Sequence, residues 1–518
     1  MKKDYIFRII LSIILNHSGL KCLLLQILIL FSMKKNNQKF IGRTLEETEF
    51  FRLMCCGHGR CVSMLQKDEQ SYYEAVMYGC LNDISYDMQC EGSRGNYMYT
   101  LASMHKDSLK FLDAAICKLQ SGKADEDWNT LCHLCDFIVN YAYDGETIAY
   151  DALEETYSRL LKQIMTTPMS KKHTKFLESF GYVIIVLMQY KNFDRLEMII
   201  RDIGAYFIRR KHVAALKLQS DFLWFFECAK EKYGEDFMQK LDASKLEIQR
   251  FIRVIKTKKT YISPAQTIPN VDMICQKASE GNLYIYDKIR FGRKASAEEK
   301  CRLAKTVLSE SDHKKKAILL SMFATKYNIF PLDPKPLIKY AFSGSDELKE
   351  AALDALTYVK SDLVHSFAIQ LLNNTAQKNK CETNATPKFV KNYSLVQSSF
   401  SEKKKLENQI AKTEVNLDAL YMLITNYTEN DFDLLLNTLA LLEVDFENEN
   451  GWHGIVSYIL DKAPNGFLPD EVLFFVYEKS FCSCCREEAV KQMYNRGVLT
   501  EEILKECRFD CNESIRNI

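Results

Sequence analysis

The chain repeats itself. The segment CRLAKTVLSESDHKKKAILLSMFA begins at Cys301, and KPLIKYAFSGSDELKEAALDALTY begins 34 residues later at Lys335. In that register Leu303, Val307 and Leu308 fall on Leu337, Ala341 and Phe342, and Ser311-Asp312 falls on Ser345-Asp346. Ala317, Ile318, Leu319 and Met322 fall on Ala351, Ala352, Leu353 and Leu356. The shared unit is a short apolar helix, a tight Ser-Asp turn and a second, amphipathic helix. In the second copy Leu348, Ala352 and Leu356 recur at four-residue steps and make one buried stripe. Asp312 and Asp346 are expected at the N-caps, where an acceptor side chain satisfies free helix N–H groups. One such helix pair cannot bury both of its faces, so it has to stack on its neighbours.

The rest of the chain is compatible with such a stack. Only 9 Pro and 19 Gly occur in 518 residues, far below the usual roughly 5% and 7%, and so few breakers predict a nearly all-α protein. Over 39–262 apolar residues recur at helical spacing, as with Tyr73, Val76, Met77, Cys80 and Leu81, and no alternating strand pattern interrupts them. ISYDMQCEGSRG, with Gly92 and Gly95, is expected to be an irregular inter-helix turn. Prolines and turn residues over 263–296 predict a boundary between two helical parts. The C-terminal part, 297–518, carries a Lys- and Asn-rich insertion at 373–410, expected as a loop.

The unit resembles the HEAT repeat of the armadillo-like α-solenoids. It has a Pro early in the first helix (Pro336), Asp at the turn (Asp346), a basic residue after an apolar one (Leu348-Lys349) and AALDAL in the second helix. The resemblance covers about 300–372 and extends over 414–518; over 40–260 it rests on helical periodicity and scarce Gly and Pro. The stretch YGCLNDISYDMQCEGSRGNYMY looks like the N-terminal parts of bacterial HEAT-repeat proteins. The resemblance implies an all-α, HEAT-like α-solenoid superhelix of stacked antiparallel helix pairs, and a binding surface rather than a reaction.

The first 38 residues stand apart. Residues 5–32 are apolar but are interrupted by Arg8, Asn16, His17, Ser18, Lys21 and Gln26, and the longest clean run falls short of the roughly 18 to 20 residues a membrane span needs. No small-x-small cleavage site precedes Lys34, and Met33 offers a second start. The segment is therefore expected to be an extension from an upstream start, with a membrane anchor as the alternative.

The 18 cysteines are irregularly spaced along the whole chain, a pattern that fits a reducing cytoplasm and buried thiols better than a disulfide framework. In SFCSCCREEAV the repeat register puts Ser483 on Asp346, Cys485 on Leu348, Arg486 on Lys349 and Met493 on Leu356. Cys485 is then a core residue, and Cys482 and Cys484 lie at the turn. The next unit repeats the design, with Ile515-Arg516 on Cys485-Arg486. The cluster is expected to be structural, with no cofactor; the alternative is zinc, which takes four ligands, usually as two close pairs, here Cys482 with Cys484 and Cys507 with Cys511. CCGHGRC (55–61) is expected to be a glycine-broken helix end with buried thiols, and Cys132 and Cys135 to share one apolar helix face.

Composition and motifs narrow the function. The formal net charge is +1, so no global field attracts nucleic acid or an anionic membrane. There is no Walker-type loop, G-x-S-x-G, H-E-x-x-H or strand-borne G-x-G-x-x-G, and no catalytic residue is nominated. Arg209, Arg210, Lys211, Lys217, Arg250, Arg253, Lys256, Lys258 and Lys259 form the basic candidates for phosphate contact, as in DNA glycosylases built on HEAT-like repeats. Such side chains also cover helix surface with their stems. The expectation is a non-catalytic, cytoplasmic scaffold that binds a protein partner on its concave surface. The alternatives are a nucleic-acid-binding or base-processing protein and a membrane-anchored scaffold.

Overall fold

The computed structural model describes residues 45–86, 88–190, 193–210, 214–256, 269–383, 415–442, 449–462 and 466–518. The N-terminal segment 1–38 lies outside them. Among the described residues the protein is all-α, and one isolated bridge, Thr325 with Asn328, is the only β pairing. No described helix is long and apolar enough to cross a membrane.

The chain divides into two compact units. The first comprises Met1–Met88, Gly92–Ile255 and Phe509–Cys511; the second comprises Gln89–Glu91, Lys256–Arg508 and Asn512–Ile518. The 263–296 stretch thus falls in the second unit, where it carries helices Val271–Ser279 and Ile285–Lys294. Asn270 caps the first of these by accepting from the Met273 N–H. Helix Asp362–Thr383 continues into the polar 373–410 segment, whose opening residues lack Pro and Gly and so permit helix. Residues 384–410 lie outside the described ones.

In the first unit, helices Tyr73–Leu81, Gly95–Ser103, Trp128–Tyr143, Lys171–Tyr190 and Ala214–Tyr233 each pack on the next. The intervening helices Ser108–Gln120, Thr147–Thr166 and Phe193–Arg209 do the same among themselves. Hydrogen bonds record the register. Asn140 donates to Asn96, Tyr182 to Asp136 and Lys232 to the Met188 carbonyl, across separations of 44, 46 and 44 positions. In the other row Tyr157 donates to Asp202 and Arg210 to the Met165 carbonyl, both across 45. The first unit thus has a spatial period near 45 residues, which its sequence did not display.

Close approach inside this row depends on Gly95. A Cβ there would lie 2.5 Å from the His133 carbonyl oxygen. His133 itself is fully buried, and its Nε2 sits 2.8 Å from the Gly79 carbonyl, joining two helices. Burial pushes its imidazole down to about 4. A folded value below the ordinary 6.5 means the unfolded chain takes up the proton first, so this contribution is present above pH 6.5 and is lost as pH falls toward 4. Asp136 works the other way, because burial raises it to about 6, and its contribution declines as pH rises from 3.8 through 6. The expected result is therefore a difference. Relative to His133→Gln, the wild type should lose about 2 kcal/mol between pH 7 and pH 5. Urea unfolding at both pH values checks it, and parallel losses in the two proteins would refute the assignment.

In the second unit helices His313–Leu320, Asp346–Leu356, Leu417–Thr425, Glu449–Lys462, Ser483–Arg496 and Glu513–Arg516 pack in succession. Asp312 caps its helix as expected, accepting from Lys314 N at 2.9 Å and Lys315 N at 3.2 Å. The cap of Asp346–Leu356 is instead Ser345, which accepts from Leu348 N. Asp346 is the first helical residue, and there its carboxylate faces the positive end of the helix dipole. Leu348, Ala352 and Leu356 are buried, as the stripe required.

Candidate functional site

Two constellations stand out, one in each unit. In the first, Trp128, Tyr182 and Trp224 come from three successive helices of one row. The Trp128 and Tyr182 ring centres are 6.1 Å apart, edge to face, and those of Tyr182 and Trp224 are 5.9 Å apart. Trp128 begins its helix directly after Asp127, whose carboxylate accepts from the Thr130 N–H. The Asp136 carboxylate accepts from Tyr182 Oη at 2.5 Å and from Ser93 Oγ. Burial raises both Asp136 and the Tyr182 phenol. Trp224 nonetheless leaves 51% of its surface open to solvent.

The second constellation is at the start of helix Ser483–Arg496. Helix Asp470–Lys479 ends where the Ser480 N–H bonds back to the Val476 carbonyl. Ser480 Oγ then donates to the Cys482 carbonyl at 3.0 Å, and the buried Arg486 donates to the Ser480 carbonyl. This fixes Cys482 as the extended N-cap, with Cys485 one turn in. Glu91 accepts from the Ser483 N–H at the same helix start. His453 comes from helix Glu449–Lys462. The ligand atoms of His453, Cys482 and Cys485 all lie within 4.8 Å of one another, and Cys485 Sγ is 3.8 Å from His453 Nε2. The Cys485 thiol donates to Cys482, which holds Cys482 below the ordinary thiol range. The same bond, with burial, raises Cys485.

Other sequence candidates are placed elsewhere. Cys484 points to the exposed side, and Cys507 is buried at the end of helix Glu501–Cys507. Cys511 belongs to the first unit, where its N–H donates to the Gly57 carbonyl at 2.9 Å. In the CCGHGRC stretch Gly57, at φ 70°, separates helices Leu45–Cys56 and Arg60–Lys67. Its thiols are buried, and burial pushes Cys61 up to about 12.

Among the basic candidates Arg210 is engaged internally. It donates to the Ile164, Met165 and Thr167 carbonyls and so closes the end of helix Thr147–Thr166. Arg209 and Arg253 are exposed and Arg250 is half-buried. The side chains of Lys211, Lys217, Lys256, Lys258 and Lys259 lie outside the described residues.

Sequence reasoning passed over His453 and the Cys-x-x-Cys spacing of Cys482 and Cys485. The available signal was the repeat itself, since His453 precedes Cys485 by 32 positions, close to the 34-residue period. Compared with known proteins, the chain has no significant match to any family model, curated protein or solved structure.

Proposed function

We propose that the chain is a non-catalytic HEAT-like α-solenoid scaffold, whose first unit binds a protein partner across the row formed by Trp128, Tyr182 and Trp224. That row carries the proposal. Three aromatic side chains line up on consecutive helices of one layer, and Trp224 leaves half of its large apolar ring exposed. Large amphipathic rings of this kind dominate binding energy at protein interfaces. The recurring separation near 45 positions supports the stacked-repeat part, because it lies within the 40 to 47 residues typical of HEAT and armadillo units.

Affinity capture of partners with the full chain, wild type against Trp224→Ala, tests the proposal. Trp224 is exposed, so the variant should keep its helical circular dichroism while partner recovery falls about tenfold or more. Undiminished capture by Trp224→Ala would overturn it. A partner lost on nuclease treatment would point to nucleic acid instead.

A further inference from the structure

We propose that His453, Cys482 and Cys485 bind a zinc-class divalent ion that fastens the start of helix Ser483–Arg496 to helix Glu449–Lys462. This stands independently of the scaffold proposal, which survives its failure.

The first support is geometric. On a tetrahedral zinc, with Zn–S about 2.3 Å and Zn–N about 2.05 Å, a sulfur and a nitrogen lie about 3.6 Å apart and two sulfurs about 3.8 Å apart. Cys485 Sγ and His453 Nε2 stand 3.8 Å apart, and all three ligand atoms fall within 4.8 Å of one another. A change of a few tenths of an ångström suits Cys485 and His453 to one ion, and a closure of at most about an ångström brings Cys482 onto it.

The frame around the ligands is already fixed. Cys485 faces His453 and Gln492 donates to the Leu460 carbonyl, both across 32 positions. The two helices therefore run parallel in a constant register, with a second tie two turns beyond the site. On its other side helix Glu449–Lys462 packs on Leu417–Thr425, where the Tyr421 and Tyr458 rings meet at 5.0 Å. Gly454, next to His453, admits the Tyr421 hydroxyl, since a Cβ there would sit 2.4 Å from it.

Chemistry selects the ion. Two sulfurs and an imidazole favour zinc and similarly soft ions over magnesium or calcium, which take oxygen ligands. Cys482 and Cys485 are only 6% and 8% exposed. Two thiolates, one neutral imidazole and a divalent cation sum to zero charge, so the ion and its three ligands add no net charge beside the Glu91 carboxylate at the same helix start. His453 is half-buried and supplies the open side, where a water would complete the tetrahedron.

The repeat gives a comparison. Helices Asp346–Leu356 and Glu513–Arg516 are capped by oxygen, from Ser345 and Asn512. In the equivalent place helix Ser483–Arg496 has Cys482, a sulfur that caps poorly and ligates well. A serine there should therefore preserve the helix and remove the ligand.

The test is zinc content of the full-length chain, equilibrated with zinc under reducing conditions and freed of excess metal. About one ion per chain is expected for wild type and for Cys484→Ser, and less than about a tenth for Cys482→Ser. Cobalt in place of zinc should give sulfur-to-metal charge-transfer absorption in the wild type. His453→Gln, which leaves both sulfurs and the cap intact, should weaken binding at least tenfold. A metal-free wild type, or zinc retained by both Cys482→Ser and His453→Gln, would overturn the proposal. So would loss of zinc from Cys484→Ser.

Discussion

Arg159→Ala is expected to destabilise the first unit by about 3 to 5 kcal/mol, the usual result of stripping one partner from a buried ion pair. Asp125 sits in a short 3₁₀ turn with its side chain only 1% exposed. Arg159 meets it with two parallel bonds, Nε to Oδ2 and Nη2 to Oδ1, both 2.9 Å. Its Nη2 also donates to the Leu119 carbonyl at 3.0 Å, at the end of helix Ser108–Gln120. One guanidinium thus satisfies a buried carboxylate and a helix end together. Removing it leaves a carboxylate that must stay charged without its partner or take up a proton. Lysine carries the charge but cannot reproduce the fork, so Arg159→Lys should fall between alanine and wild type. Hydrogen exchange of the peptides covering 108–166 measures the effect locally. Protection unchanged in Arg159→Ala would show that water already reaches Asp125.

Gly204→Ala should cost the same unit about 2 to 3 kcal/mol, although alanine is the better helix former by about 1 kcal/mol. The two effects oppose one another, and distance decides the sign. Gly204 lies inside helix Phe193–Arg209, and a Cβ there would sit 2.0 Å from the Glu247 carbonyl oxygen. That oxygen is main chain in helix Leu246–Lys256, so it cannot swing aside, and the two helices have to separate. Faster exchange over 193–209 and 246–256 is the expected readout. Stability equal to or above wild type would mean the crossing is looser than the structure has it.

Much of the architecture could be read from local pattern. The 34-residue register placed the turn between Lys335–Ser343 and Asp346–Leu356 and identified the buried Leu348, Ala352 and Leu356. It also put Cys485 on the inner face of its helix, where it is buried. Such features are legible because helix formation, capping and amphipathic spacing depend on residues within a turn or two of each other. The cap at Ser345 instead of Asp346 shows the limit of that resolution. Either side chain can accept the N–H, and the path of the preceding loop chooses between them.

Local pattern therefore gives the all-α architecture of the described residues, the turn ahead of helix Asp346–Leu356 and the inward face of that helix. Packing between helices settles which distant positions meet. The period near 45 in the first unit joins Asp136 to Tyr182 and Tyr157 to Asp202 through side chains with no common motif. It also aligned Trp128, Tyr182 and Trp224, and set His453 beside Cys485 rather than pairing Cys482 with its near neighbour Cys484. The physical reason is that a helix fixes its own faces through bonds four residues apart. The register between two helices is set by how their ridges and grooves interlock and by the length of chain between them. Neither of those is written in any single stretch of sequence.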